Sequence, residues 1–265
     1  MSKLLVKPKA GDGLVARITP ESAGWGYVGF ELHRLAPGDT VAADTGSREA
    51  CLVFVTGKGE ATADGEDFGV LGGRMSPFEG RPWSLYVPPD SQWSVTAETD
   101  LELAVCLAPG LGKGLPARVI GPEDVKQEVR GKGTNTRYVT NILPEGEPAD
   151  SLLVVEVITP GGHTSSYPPH KHDQDNLPAE SYLEETYYHR LNPPQGFAFQ
   201  RVYTDDRSLD EVMAVEDGDI VMVPKGYHPC AACHGYDLYY LNVMAGPKRT
   251  WKFHNAPEHE WLMKA

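Results

Sequence analysis

The sequence is short of positive charge, of cysteine and of long apolar runs. Its 24 Lys and Arg stand against 37 acidic residues, a formal net charge of −13. Nucleic-acid and anionic-membrane partners need a basic footprint, so neither is expected. No apolar run approaches the ~20 residues that span a bilayer. At the N-terminus the apolar stretch is only Leu4–Val6. That falls short of the ~7–15 residues of a signal-peptide core, and a cytoplasmic protein is expected. The four cysteines, Cys51, Cys106, Cys230 and Cys233, are then expected to be reduced thiols.

What is abundant is punctuation. The 28 Gly and 22 Pro are scattered through the 265 residues instead of being gathered in tracts. Between them lie short alternating or β-branched runs: 28–35, 50–56, 83–87 and 101–107, then 152–158, 186–191, 197–203, 220–223 and 238–243. Such runs, each closed by a turn signal, predict an all-β chain. A Gly/Lys/Arg-rich stretch separates the two groups, with one short helix expected at 122–129 (PEDVKQEV). Either a solvated linker or a binding role fits Arg130 and Arg137 there. VPPD at 87–90 and VPKG at 223–226 occupy equivalent places in the two groups, which suggests two copies of one β-barrel unit. The expected division is 1–110, a connection at 111–145, and 146–265.

Histidine points the chemistry at the second half, which holds eight of nine; only His33 precedes it. In an extended chain residues i and i+2 face one side. His170 and His172 of PPHKHD can therefore aim at one point, joined by Glu184 or Glu185 and by His228 of DGDIVMVPKGYHP. Three imidazoles and one carboxylate suit a divalent metal and leave room for a substrate. Counting inward from Glu185 places Tyr187 and His189 in the same pocket. Counting from Glu184 places Thr186, Tyr188 and Arg190 there. Counting leaves both glutamates open as the ligand. The run Cys230-Ala-Ala-Cys233-His234 matches a haem-attachment signature. That chemistry needs an exported chain, and the motif is read instead as a loop.

His170-x-His172, the following Glu and Gly218-x5-Pro224-x-Gly226-x-His228 resemble the two consensus motifs of the cupin superfamily. The spacer DQDNLPAESYLE is longer than is usual there. Together with PPHKHDQDNLPAESYLEETYYHRLNPPQGFAFQRVY, VPKGYHP and YYLNVMAG, and with GKGTNTRYVTNIL in the connection, it resembles the 5-deoxy-glucuronate isomerases of myo-inositol catabolism. These are relatives of the uronate isomerase of pectin breakdown. The resemblance implies two tandem cupin (jelly-roll-like) barrels and an aldose–ketose isomerisation. A divalent metal would sit in the C-terminal barrel on His170, His172, Glu185 and His228. Zinc is the expected ion, with manganese or iron as alternatives. The N-terminal barrel lacks this set, reading PPDSQW where the other has P-x-G-x-H, and is expected to be degenerate.

Tyr187, His189 and Glu184 are then the candidates to move the proton. Lys171, Lys225 and Arg201 are the candidates to pair with a uronate carboxylate. Arg201 would share a face with Phe197, Phe199 and Tyr203 and point into the barrel. Related two-barrel proteins pair their barrels, so a homo-oligomer is open. An Fe(II) oxygenase acting on a small organic acid and a non-catalytic sugar-binding protein are the rival functions.

Overall fold

The computed structural model describes residues 2–264. Antiparallel strands dominate, and they form two compact units. The first comprises Pro8–Lys126 and Thr140–Val154. The second takes the residues up to Lys7, Gln127–Val139 and everything from Val155 onward.

In the first unit a six-stranded sheet runs in the order Arg118–Ile120, Trp83–Val87, Arg48–Thr56, Leu101–Pro109, Gly29–Leu35, Gly13–Ile18. A four-stranded sheet runs Thr40–Asp44, Gln92–Ala97, Lys58–Ala63, Glu66–Gly72. Leu52, Phe54, Leu85 and Leu103 of the larger sheet share one core with Ala61, Trp93 and Val95 of the smaller. Alternation produces this packing: side chains two apart along each strand meet between the sheets, and the remainder face away.

The second unit repeats the plan. Its large sheet runs Leu5–Val6, Ile220–Val223, Glu184–Asn192, Asp237–Ala245, then the parts of Leu153–Thr159, Arg137–Leu143 and Lys126–Arg130 that fall in this unit. The smaller runs Thr164–Ser165, Cys230–Ala232, Phe197–Tyr203, Asp210–Glu216. Tyr187 and Leu191 from one layer meet Ala198, Val202, Met213 and Val215 from the other.

Each run expected to be extended is a strand, with ends shifted by a few residues. The expected helix at 122–129 is not formed. Residues 122–124 are a turn, with the Gly121 N–H donating to Asp124 Oδ2 at 2.8 Å, and Lys126–Arg130 is an edge strand. Eight residues are too few to hold a helix without tertiary support, and the sheet edge offers backbone partners instead.

Candidate metal centre and its cavity

The site is built on the strand Glu184–Asn192. Its burial is unusual for so polar a segment: Glu185, Tyr187 and His189 are each at most 2% exposed. These three share the inner face with Leu191. Glu184 lies on the other face, with the Tyr182 hydroxyl donating to it at 3.5 Å, and it lines no part of the cavity described below.

The long spacer before Glu185 folds as a hairpin, Asp173–Asn176 against Glu180–Tyr182. It returns the chain so that the Leu183 N–H donates to His172 O at 2.8 Å, and His172 Nδ1 meets Leu183 O at 2.9 Å. His172 and Glu185 are thus neighbours despite the insertion. His228 arrives from the turn after Ile220–Val223. There Gly226 has φ +91°, and a Cβ would lie 2.4 Å from Tyr203 O. The Gly226 N–H donates to Asp173 Oδ2 at 2.9 Å, and its carbonyl accepts from His228 Nδ1 at 2.8 Å. This glycine therefore sets the imidazole, which gives the P-x-G-x-H spacing its physical content. Gly226→Ala is expected to weaken metal binding by about 10–100-fold, the usual cost of disturbing an outer contact to a ligand. Metal titration of the variant checks this; unchanged affinity would refute it.

His172, Glu185 and His228 each offer a ligand atom, all within 4.8 Å of one another, and all three residues are buried. Glu185 Oε2 is 3.2 Å from His172 Nε2 and 3.2 Å from His228 Nε2. Both Nδ1 atoms spend their hydrogen on carbonyls, so each neutral ring turns a lone pair toward the carboxylate. Burial opposes charge on His172, yet the Glu185 carboxylate outweighs it and raises the pKa. Burial drives His228 down to about 3. Its Nε2 is buried without a hydrogen-bond partner. A proton can serve one of the two imidazoles; a divalent cation serves both and satisfies the orphaned nitrogen. The donor set thus fits a metal.

His170 stands beside this trio. Its ring lies 5.0 Å from that of His228 and 6.4 Å from that of His172, and against Phe253 at 4.7 Å. Burial, then the neighbouring His172, lower its pKa to about 3, so it is a neutral ring. Tyr187 and His189, further along the strand, stay uncharged as well; of the two, Tyr187 lines the cavity described below. Burial, then the Glu185 carboxylate, push the Tyr187 hydroxyl well above its ordinary range; it lies 2.8 Å from Ser166 Oγ. Burial holds His189 at about 4. Its Nε2 is 2.9 Å from Gln200 Oε1, and Nδ1 is buried without a partner.

An open cavity of about 680 Å³ leads to this region. It falls within the ~300–1,000 Å³ of small-molecule sites. His170, Arg130, Arg137, Trp251 and Phe253 are among its walls, and a narrower pocket beyond reaches Glu185, Tyr187, Tyr240 and Asn242.

The three cations expected to bind a carboxylate lie elsewhere. Arg201 points outward and grips Asp210 through two 2.7 Å hydrogen bonds. The reason is register: the alternate residues Ala198, Gln200 and Val202 are buried, joined at the strand's end by Tyr203, while Phe197 and Phe199 are 42% and 43% exposed. Lys171 is buried, but its Nζ is 2.7 Å from Asp173, 3.5 Å from Glu180 and 3.4 Å from Asp205. Lys225 is exposed on a separate surface hollow with Asp205 and Asp206. Sequence reasoning missed Gln200 and Asn242, polar residues inside apolar strands, and left Arg137 undecided. In the first unit, no cluster of three potential metal ligands occurs among the described residues, and His33 is paired with Glu31 at 3.1 Å.

The sequence profile of the KduI/IolB family matches residues 4–262. A protein named 5-deoxy-glucuronate isomerase from Geobacillus kaustophilus (strain HTA426) is 59% identical over 268 residues, covering 100% of this chain and 97% of the relative. One of the same name from Bacillus subtilis (strain 168) is 50% identical, with 100% of both chains covered. The crystal structure of an IolB-like protein from Salmonella typhimurium LT2 superposes with a TM-score of 0.97 at 55% identity, covering 99% of this chain and 100% of that one. At 11% identity, oxalate decarboxylase from Lactobacillus farciminis shares the fold alone, with a TM-score of 0.67 over 100% of this chain and 91% of that one. The two sandwiches are tandem cupin barrels, and the chain belongs to the KduI/IolB family.

Proposed function

We propose that this chain is a metal-dependent aldose–ketose isomerase that converts 5-deoxy-D-glucuronate to 5-dehydro-2-deoxy-D-gluconate. The observation that carries the reading is the buried His172–Glu185–His228 trio beside a substrate-sized cavity, in a chain that matches proteins named for this isomerisation along its whole length. The ion is proposed to be zinc, for which imidazole and carboxylate are common ligands. His172, Glu185 and His228 would hold it, and His170 would complete four. When bound, the ion supplies Lewis-acid polarisation of the sugar's carbonyl oxygen.

The chain's own groups serve the substrate's oxygen. Moving a carbonyl by one carbon requires a proton to leave the neighbouring carbon and another to reach the old carbonyl carbon. Tyr187 lines the inner pocket and keeps its proton, so it acts as the donor to a substrate oxygen, with Ser166 fixing its hydroxyl. His189 stacks on Tyr187 with ring centroids 5.8 Å apart and holds that ring in place. Glu184, on the opposite face, is not assigned a part in proton transfer.

A cytoplasmic setting is part of the proposal. Cys51 and Cys106 sit directly opposite on paired strands, both buried, and a reducing compartment would keep them as thiols.

Proton NMR in D₂O tests the reaction. With zinc-loaded protein and 5-deoxy-D-glucuronate, the aldehyde-end signals are expected to decay as those of the keto acid grow. Deuterium in the new CH₂ would mark proton exchange through an enediol. An unchanged spectrum with metal bound would refute the isomerase reading.

A further inference from the structure

We infer that Arg137, with the Asn242 amide on the wall of the same inner pocket, anchors the substrate's carboxylate and so selects a uronate over a neutral sugar. The name of the ligand rests on the isomerase reading; the preference for an anion rests on the following observations.

Arg137 opens the strand Arg137–Leu143 and lines both parts of the cavity, together with His170. Among the described residues, its hydrogen bonds run from Nη1 to Asn135 O at 3.0 Å and Asn135 Oδ1 at 3.1 Å. Both acceptors are neutral. A guanidinium has five N–H donors in a planar fork, and the rest of this fork has no acidic partner among the described residues. The chain carries 37 acids, so carboxylates are not scarce. Neighbouring cations have taken them: Arg130 with Glu128, Arg190 with Asp217, Arg201 with Asp210, Lys171 with Asp173. Burial and the nearby Arg130 both work against charge on Arg137, and the one carboxylate that shares the inner pocket, Glu185, faces His172 and His228 at 3.2 Å.

Asn242 is a second, independent sign. It is 3% exposed, lies opposite Tyr187 on the neighbouring strand, and lines the inner pocket. Its Nδ2 has no hydrogen-bond partner. A buried donor of this kind costs free energy unless a ligand meets it.

The loop before Arg137 is shaped to seat the fork. Gly131 has φ +77°, and a Cβ there would fall 2.1 Å from Asn135 O and 2.7 Å from Arg137 Nη1. A uronate has its aldehyde and carboxylate at opposite ends. The trio around Glu185 serves the first, and the Arg137 fork matches the second in planar, two-pronged geometry.

The test separates anchoring from turnover. Reducing the aldehyde of 5-deoxy-D-glucuronate gives a hydroxy acid that cannot isomerise; reducing 5-deoxy-D-glucose gives the neutral polyol. Calorimetric titration of zinc-loaded protein measures both. Arg137→Gln is expected to weaken the acid by about 10–100-fold, the worth of charge-assisted hydrogen bonds, while changing the polyol less than about twofold. Arg137→Lys is expected to recover part of the loss, with metal content unchanged in both variants. Equal loss for acid and polyol would assign Arg137 a structural role and overturn the proposal. So would undiminished acid binding by Arg137→Gln, or no binding of the acid by the unmutated protein. Arg137-dependent acid binding without turnover of 5-deoxy-D-glucuronate would sink the isomerase reading and leave the anchor standing. Turnover with an unchanged KM in Arg137→Gln would do the reverse.

Discussion

His228→Ala is expected to abolish metal binding and, with it, activity. The bound ion should fall from about one per chain to below a tenth, and kcat by at least about 10³-fold, since Lewis-acid catalysis supplies several kcal/mol and each tenfold is about 1.4. The apo-protein should respond differently. His228 Nε2 is a buried nitrogen without a partner, so its removal takes away an unsatisfied group as well as packing. Thermal unfolding without metal should therefore change by little more than the cavity created and the lost hydrogen bond from His228 Nδ1 to the Gly226 carbonyl. What the variant loses is the stabilisation added by zinc, about 2.7 kcal/mol at a concentration of 100 Kd. His170→Ala is the comparison. Its ring stands beside the trio instead of within it, so weaker binding that excess zinc restores is expected. Stoichiometric metal in His228→Ala, measured by atomic emission after dialysis, would remove the trio from the mechanism.

The contrast between His228 and Arg201 shows what the sequence could and could not disclose. Local spacing carried the first. A glycine two residues before a histidine, after a β run and a proline, encodes a turn whose geometry is nearly self-contained. Alternation alone did not separate Glu185 from Glu184, since it offered Tyr187 and His189 from the one and Thr186, Tyr188 and Arg190 from the other; the family resemblance favoured Glu185. Arg201 failed because alternation gives two faces and no label for which is inner. Phe197 and Phe199 suggested the wrong one. They pack against each other, with ring centroids 5.6 Å apart, and Phe197 also meets Tyr236 at 6.4 Å, all on the outer surface. The inner face carries small or polar residues, Ala198 and Gln200, because His189 and His228 already occupy the space. Arg137 was undecidable for another reason. Its segment has no periodicity, and it enters the large sheet at its edge, Lys126–Arg130 beside Arg137–Leu143 and that strand beside Leu153–Thr159. The pairing of Leu5–Val6 with Ile220 and Val221 is non-local, and no window of sequence contains it.

Glu49→Ala is expected to produce the largest loss of stability. Glu49 is fully buried at the start of the strand Arg48–Thr56. Its Oε1 accepts from the backbone N–H groups of Ser151 and Leu152, both at 2.5 Å. Its Oε2 accepts from the Asp150 N–H at 2.6 Å and the Tyr86 hydroxyl at 2.7 Å. One carboxylate thus satisfies four donors and ties residues 150–152 to the strands of the first unit. Asp150 extends the tie, its Oδ2 accepting from the Leu111 N–H at 2.5 Å and the Gly112 N–H at 3.0 Å. Truncation orphans three buried amides at once, and the expected cost is about 3–5 kcal/mol, comparable to breaking a buried charged network. At about 2–4 °C per kcal/mol for a chain of this size class, the midpoint should drop by roughly 10 °C. Glu49→Gln discriminates the cause. It keeps the volume, yet its amide nitrogen is a donor where two further donors point, so only one end of the group can be satisfied. If packing alone mattered, Glu49→Gln would match the unmutated protein in urea unfolding. If the carboxylate's acceptors matter, it should lose about half of what Glu49→Ala loses. A loss below about 1 kcal/mol for Glu49→Ala would mean that these donors find other partners and that the chain holds residues 150–152 by other contacts.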